Sequence, residues 1–525
     1  MISYTSFAFF IIYFGITYLI YSIVPQKAKW CILLIGSYFF YFIAAKGHVI
    51  QLIAASIIVW AIGLWLQKLN DDFKAKKKGM SRDERKKLKK KYASFKQAVL
   101  ALGVISTLGI LLVCKYSNFF IDTANVIFNS NFENINIIQP LGISFYTLQA
   151  ISYITDISRG KYPAEKNPLR VSLYLSFMLT IVEGPVARYN QLGLQLNECK
   201  RFGTNDLVYG AQRVVWGLFK KIVIADRAAE FVNAVFNNSA DYKGIAVAAA
   251  ILFYTMQLYL EFSGVMDVVC GFGEMLGINL PENFNRPFFA KTINEFWQRW
   301  HITLGGWLRD YIFYPISLSK PFMSLSKSAR KKLNSYYANL IPTAVALFFV
   351  WFANGFWHGS GWKYIVYGLY YYVLMMIGLF LEPLFRKICS FIRIDRESKL
   401  FHVFQMIRTF IIVNIGMLIF RADDLKQAWS MFISIFEDIS ITAVMPGQKN
   451  GFGLDIKDYI IIIAGVIIVF TVSLLAEKGI DLRKKISKLP YIVKFIIYLI
   501  MIFTVIIFGA YGEGYGVVDL IYANF

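Results

Sequence analysis

The chain has 525 residues, 57% hydrophobic and 17% aromatic, with 55 Lys and Arg against 33 Asp and Glu, a formal net charge of +22. Soluble domains are roughly 45–50% apolar, so this composition excludes a soluble globule and calls for lipid as solvent. The basic residues sit between apolar runs, as in cytoplasmic loops beside anionic lipid, which argues against nucleic acid as the partner.

In chain order, the first apolar run, 6–24, has no charged leader and no small-residue cleavage site, so it reads as a retained span and not a signal peptide. Further runs occupy 29–45, 49–66, 98–116, 140–158, 169–188, 247–276, 339–356, 364–385, 403–420, 459–475 and 492–511. They approach the roughly 20 apolar residues that a spanning helix needs. The stretch 207–236 carries Lys220, Lys221, Asp226 and Arg227, and reads as a helix in the interface or packed inside the bundle. The expectation is one all-α integral membrane domain over residues 1–525. It would be a multi-pass bundle of about 11–13 spans with re-entrant or interfacial helices, in the cell (cytoplasmic) membrane.

Charge orients the bundle. Segment 67–97 holds 13 Lys or Arg against 4 acids and is expected in the cytoplasm as a solvated helix or tail. Segments 286–336, 386–399 and 478–488 are also basic and so inside. The connections 117–138 and 423–457, and with them both termini and the tail 512–525, fall outside.

The five cysteines are scattered, and no disulfide framework or metal site is indicated. Two of the four histidines have unusual surroundings. His358 ends the segment FVWFANGFWH, crowded by aromatics and followed by Gly359 and Gly361; Asn354 could hold one ring nitrogen. A desolvated imidazole stays neutral and is a suitable general base, although a histidine satisfied by a backbone carbonyl at a helix end would look the same. His301 lies in EFWQRWHITLGGWLRDY (295–311). At helical spacing Trp297, Trp300, Leu304 and Trp307 share a face opposite Glu295, Arg299 and Arg309. By pattern alone this is an amphipathic helix anchored at the cytoplasmic interface. Glu183 and Arg188 flank the helix-breaking Gly184-Pro185, where they either line a passage or pair with each other. Asp267, inside an apolar run, is open in the same way.

The segments 295–311 and NGFWHGSGW (354–362) resemble the paired histidine signatures of the membrane-bound O-acyltransferase family. The likeness extends, in order, to PLGISFYT (140–147), EGPVARYNQL (183–192), QLYLEFSGVMD (257–267), NFNRPF (283–288) and FRADDLKQA (420–428). Among the branches of that family, the order matches the one that resembles alginate O-acetyltransferases. The resemblance implies a helical bundle around a central tunnel, an acyl donor entering from the cytoplasm and a hydroxyl acceptor from outside. His358 matches the family's near-invariant histidine, the base or acyl-transfer centre, and His301 the second one. Asn354, Trp357, Trp300 and Asp310 are expected beside them on the substrate path, with Glu183 and Arg188.

No bound cofactor is expected; the implied donor is acetyl-CoA, with an acyl-carrier protein as the alternative. The implied partners are an extracytoplasmic acetyltransferase, a polysaccharide acceptor and the bilayer. The alternative reaction is D-alanyl transfer to teichoic acid; a transporter or flippase would show inverted repeats, and none is evident. The chain ends in LIYANF, where Tyr522 and Phe525 match the Phe-x-Tyr-x-x-Phe tail of polysaccharide-acylating members, on which the tyrosine relays the acyl group; Leu520 departs from that pattern.

Overall fold

The computed structural model describes residues 4–6, 9–437 and 452–511; the tail with Tyr522 lies outside them. Among the described residues there is no strand beyond one isolated bridge between Phe284 and Trp300. Nine helices there are long and apolar enough to cross a membrane, and the protein is a multi-pass membrane protein. The chain divides into two compact units, residues up to 214 with 269–281, and residues 215–268 with 282–511.

The first unit contains α1 (Ile16–Ile23), α2 (Lys29–Ala44), α3 (Ile50–Lys76), α4 (Arg82–Leu111), α5 (Ser117–Phe128), α6 (Ile143–Ser158), α7 (Pro168–Ser176) and α8 (Gly193–Glu198). The basic segment 67–97 is helical but for a short turn. Ser81 starts α4 with a capping box, its backbone N–H donating to Glu84 at 2.9 Å, which satisfies amides that a helix start leaves open. Helices α3, α4 and α6 meet at Gly103, where side chains fill the space a Cβ would take; that Cβ would lie 2.9 Å from methyl groups of both Ile62 and Ile154.

Three expected spans are not among the nine: the run 6–24, whose apolar helix covers only Ile12–Ile23, and the runs 140–158 and 169–188. Helix α6 has 16 residues and is buried on almost every side. The run 169–188 is helical only to Ser176 and then turns irregularly, although residues 171–187 are all buried. Hydropathy reports an apolar environment, and here that environment is protein. Non-helical backbone survives in such surroundings only if side chains satisfy it. Tyr4 donates its hydroxyl to Met178 O at 2.7 Å and accepts from Val182 N at 3.3 Å, while Ser37 Oγ accepts from Met178 N at 3.1 Å.

The second unit begins in the last turn of α9 (Thr204–Leu218), followed by a π-helical segment, Phe219–Ala225, and α10 (Asp226–Asn237). Of the two placements open to this stretch, the interior one is observed. Lys220 and Lys221 are buried, and both meet acids. Lys220 Nζ lies 2.7 Å from Asp267 on α11 (Ile245–Met275), and Lys221 pairs with Asp226. Asp267 therefore has a structural partner.

The chain continues through short helices α12 (Ile293–Arg299), α13 (Ile302–Leu308), α14 (Tyr314–Ser317) and α15 (Lys320–Lys332). Long helices α16 (Ser335–His358), α17 (Trp362–Phe391) and α18 (Lys399–Arg421) follow, then α19 (Leu425–Ser434), α20 (Ile456–Glu477), α21 (Leu482–Ser487) and α22 (Tyr491–Phe508).

Helices α16 and α17 pack backbone against backbone, as small residues allow in membrane bundles. A Cβ on Gly355 would fall 2.3 Å from Tyr364 O, and one on Gly368 2.3 Å from Trp351 O. This contact fixes the end of α16, where His358 sits. Gly355→Ala is expected to separate the two helices, lowering the thermal midpoint of the detergent-solubilised protein by several degrees, since overpacking costs about 1–3 kcal/mol. An unchanged midpoint in a thermal-aggregation assay would show the contact to be slack.

Candidate active site

The 295–311 segment is not the single amphipathic helix its spacing suggests. His301 breaks it, with φ +47° in the left-handed region, a conformation that non-glycine residues adopt rarely and histidine more readily than most. Trp300 is 2% and Trp307 6% exposed, so these rings are core residues and not headgroup anchors. The break is held by pairing with 283–285: Asn285 N donates to Arg299 O at 2.9 Å, and Ile302 N to Asn283 O at 3.0 Å.

The Asn283 side chain completes the joint. Its Oδ1 accepts from Thr303 N at 3.1 Å and from Thr303 Oγ1 at 2.9 Å, and lies 3.2 Å from His301 Nδ1. A backbone N–H can only donate, so the atom it meets is the amide oxygen. That oxygen can only accept, so Nδ1 of His301 carries the proton and Nε2 keeps its lone pair. His301 is buried and lies outside the nine long apolar helices. Burial holds its pKa down, to about 3, because desolvation penalises the charged ring.

His358 is 3% exposed at the C-terminus of α16. The rings of Trp357, Tyr367 and Phe420 surround it edge-on at 5.1, 5.8 and 5.3 Å. Trp357 also reaches His301, at 5.8 Å, and so bridges the two imidazoles. Both histidines line one cavity of about 470 Å³, together with Trp297, Trp300, Arg309 and Asn354. Asn354 stands one helical turn before His358 on the same face of α16. Its Nδ2 and the Nε1 of Trp297 are buried without a hydrogen-bond partner among the described residues. Leaving a buried donor unmet costs about 1–3 kcal/mol.

Of the sequence-derived site residues, the fold brings His301, His358, Asn354 and Trp300 to this cavity, with Trp357 against both histidines. Asp310 is one residue beyond the cavity-lining Arg309 and pairs with it at 3.3 Å. Glu183 and Arg188 belong to the first unit and are not among the residues lining this cavity. Tyr522 lies outside the described residues. Sequence reasoning did not assign a role to Asn283 or to the Trp297 indole N–H. The only signal for the first was its place in the NFNRPF motif; the second was absorbed into an apparent apolar face.

Two buried imidazoles on one cavity, one with a fixed lone pair, suit proton transfer to and from a hydroxyl. The comparisons with known proteins agree with this class. A sequence model of the membrane-bound O-acyltransferase family matches residues 165–420. The chain is 35% identical over 344 residues to the probable alginate O-acetylase AlgI of Azotobacter vinelandii, covering 65% of this chain and 63% of that protein. It is 32% identical over 361 residues to the probable alginate O-acetylase AlgI of Pseudomonas putida, covering 68% of each. It is 30% identical over 361 residues to the peptidoglycan O-acetyltransferase of Helicobacter pylori, covering 64% of each. The protein belongs to the membrane-bound O-acyltransferase family. The match spans somewhat under two thirds of the length of the Azotobacter relative, 63%.

The low pKa of His301 has a consequence for stability. Between about 3 and the ordinary 6.5, the unfolded chain holds a proton that the folded one does not. Falling pH in that window therefore favours unfolding. The thermal midpoint of the wild type is expected to drop more steeply between about pH 7 and pH 5 than that of His301→Gln; parallel curves would contradict a buried neutral imidazole. Asn283→Leu strands the Thr303 amide and the His301 Nδ1–H, and is expected to cost about 1–3 kcal/mol for each buried group left unmet. Measured thermal midpoints should place it well below Asn283→Asp, which keeps an acceptor.

Proposed function

We propose that the protein is an O-acyltransferase that moves an acetyl group from cytoplasmic acetyl-CoA to the outer side of the cytoplasmic membrane, for O-acetylation of an exported or cell-envelope polysaccharide. The supporting observation is the shared cavity of His301 and His358, with Asn283 fixing the tautomer of one of them. His358 takes the proton of the attacking hydroxyl and returns it to the leaving thiolate, and His301 polarises the donor side. The polysaccharide acceptor comes from the names of the relatives, one a probable alginate O-acetylase and one a peptidoglycan O-acetyltransferase. An extracytoplasmic acetyltransferase partner would complete delivery to the sugar. Tyr522 is the proposed relay. A phenol with a pKa of about 10 is a poor nucleophile at neutral pH, so the relay needs a base beside it.

His358→Ala is expected to abolish acetyl ester on the polymer while protein levels stay normal. Wild-type ester content in that variant would refute the proposal. Labelled acetate and labelled D-alanine, followed into the envelope of a deletion strain, decide which acyl group is transferred. Loss of the D-alanine label alone would reassign the reaction to teichoic acid.

A further inference from the structure

We propose that the indole N–H of Trp297 and the side-chain amide of Asn354 form the site that holds the acyl carbonyl oxygen during transfer. This rests on the acyltransferase reading above and goes beyond it by naming the groups that take up the negative charge. Both side chains line the cavity that holds the two histidines. Each presents a buried N–H donor with no partner among the described residues. Buried donors in folded proteins are nearly always met, and an indole N–H can only donate. The missing partner is therefore a group that accepts.

In an acyl transfer that group is the thioester carbonyl. The attacking hydroxyl oxygen forms a bond to the carbonyl carbon, its proton passes to an imidazole, and the C=O electron pair moves onto oxygen. When the pair returns, the C–S bond breaks and the thiolate takes the proton back. Fixed N–H donors aimed at the transient oxyanion lower that barrier because they need no reorganisation.

The donors are fixed. Trp297 packs edge-on against Trp351 at 5.1 Å and Tyr371 at 4.8 Å. Trp351, Asn354 and His358 follow one another along one face of α16, so the amide and the imidazole share one helix, and the Trp297 indole on α12 packs against its Trp351.

The test follows label from acetyl-CoA into polymer in membranes carrying the full chain, over a range of acetyl-CoA concentrations. Trp297→Phe and Asn354→Leu are each expected to lower the maximal rate about 100- to 1,000-fold, with KM for acetyl-CoA little changed. Because Asn354→Leu removes an unmet buried donor at nearly constant volume, its thermal midpoint should hold or rise. A purely structural role would lower it instead. Rates within about threefold of wild type, a loss confined to KM, or, for Asn354→Leu, a loss that tracks a lowered midpoint would each overturn the proposal. His358→Ala keeps the two readings apart. If it transfers label as fast as wild type, the acyltransferase reading itself fails. If it is inactive while Trp297→Phe runs at full rate, only the role of these donors fails.

Discussion

Asn283 closes a gap that would otherwise be ruinous. A helix interrupted in an apolar interior frees backbone amides that water cannot reach, and the interruption at His301 frees the amide of Thr303. One side-chain oxygen meets that amide, the Thr303 hydroxyl and the His301 ring together. The same bond that makes the break tolerable orients the imidazole and decides which nitrogen carries the proton. Local stability and chemical readiness are thus one interaction, and the short antiparallel pairing of 283–285 with 299–302 holds it in register.

The second imidazole is placed by packing. Glycines at 355 and 368 bring α16 and α17 into backbone contact, and aromatic edges enclose His358 on several sides. Helix α18 is tied to α17 through Tyr370 and Tyr371, whose hydroxyls donate to Ile412 O at 2.8 Å and Val413 O at 3.2 Å. A rigid, mostly apolar wall results, and in it the few polar groups at the cavity are set apart. Their scarcity gives the proposed chemistry its setting, because electrostatic effects are largest where water is excluded.

The charged residues of the second unit follow the same logic. Lys220 and Lys221 sit on a π-helical segment, a rare distortion of the α-helix, and acids from α10 and α11 meet them. A buried charge with a partner is tolerable, whereas one without is not. The packing of α9 through α11 thus accounts for their burial, and neither lysine is among the residues lining the histidine cavity.

The sequence by itself determined the all-helical membrane class, the two histidines and their resemblance to one family, since composition, hydropathy and short motifs are properties of local chain. It could not tell an apolar run facing lipid from one facing protein, and for that reason 140–158 and 169–188 looked like spans. Nor could it reveal that EFWQRWHITLGGW is broken at its centre, because helical spacing presumes a continuous helix and the break depends on Asn283, 18 residues earlier in the chain. Only the tertiary structure decided which tautomer His301 adopts, which donors at the cavity remain unmet and which lysines find acids. Each of these is a contact between segments far apart in sequence, and no periodicity within a segment records it.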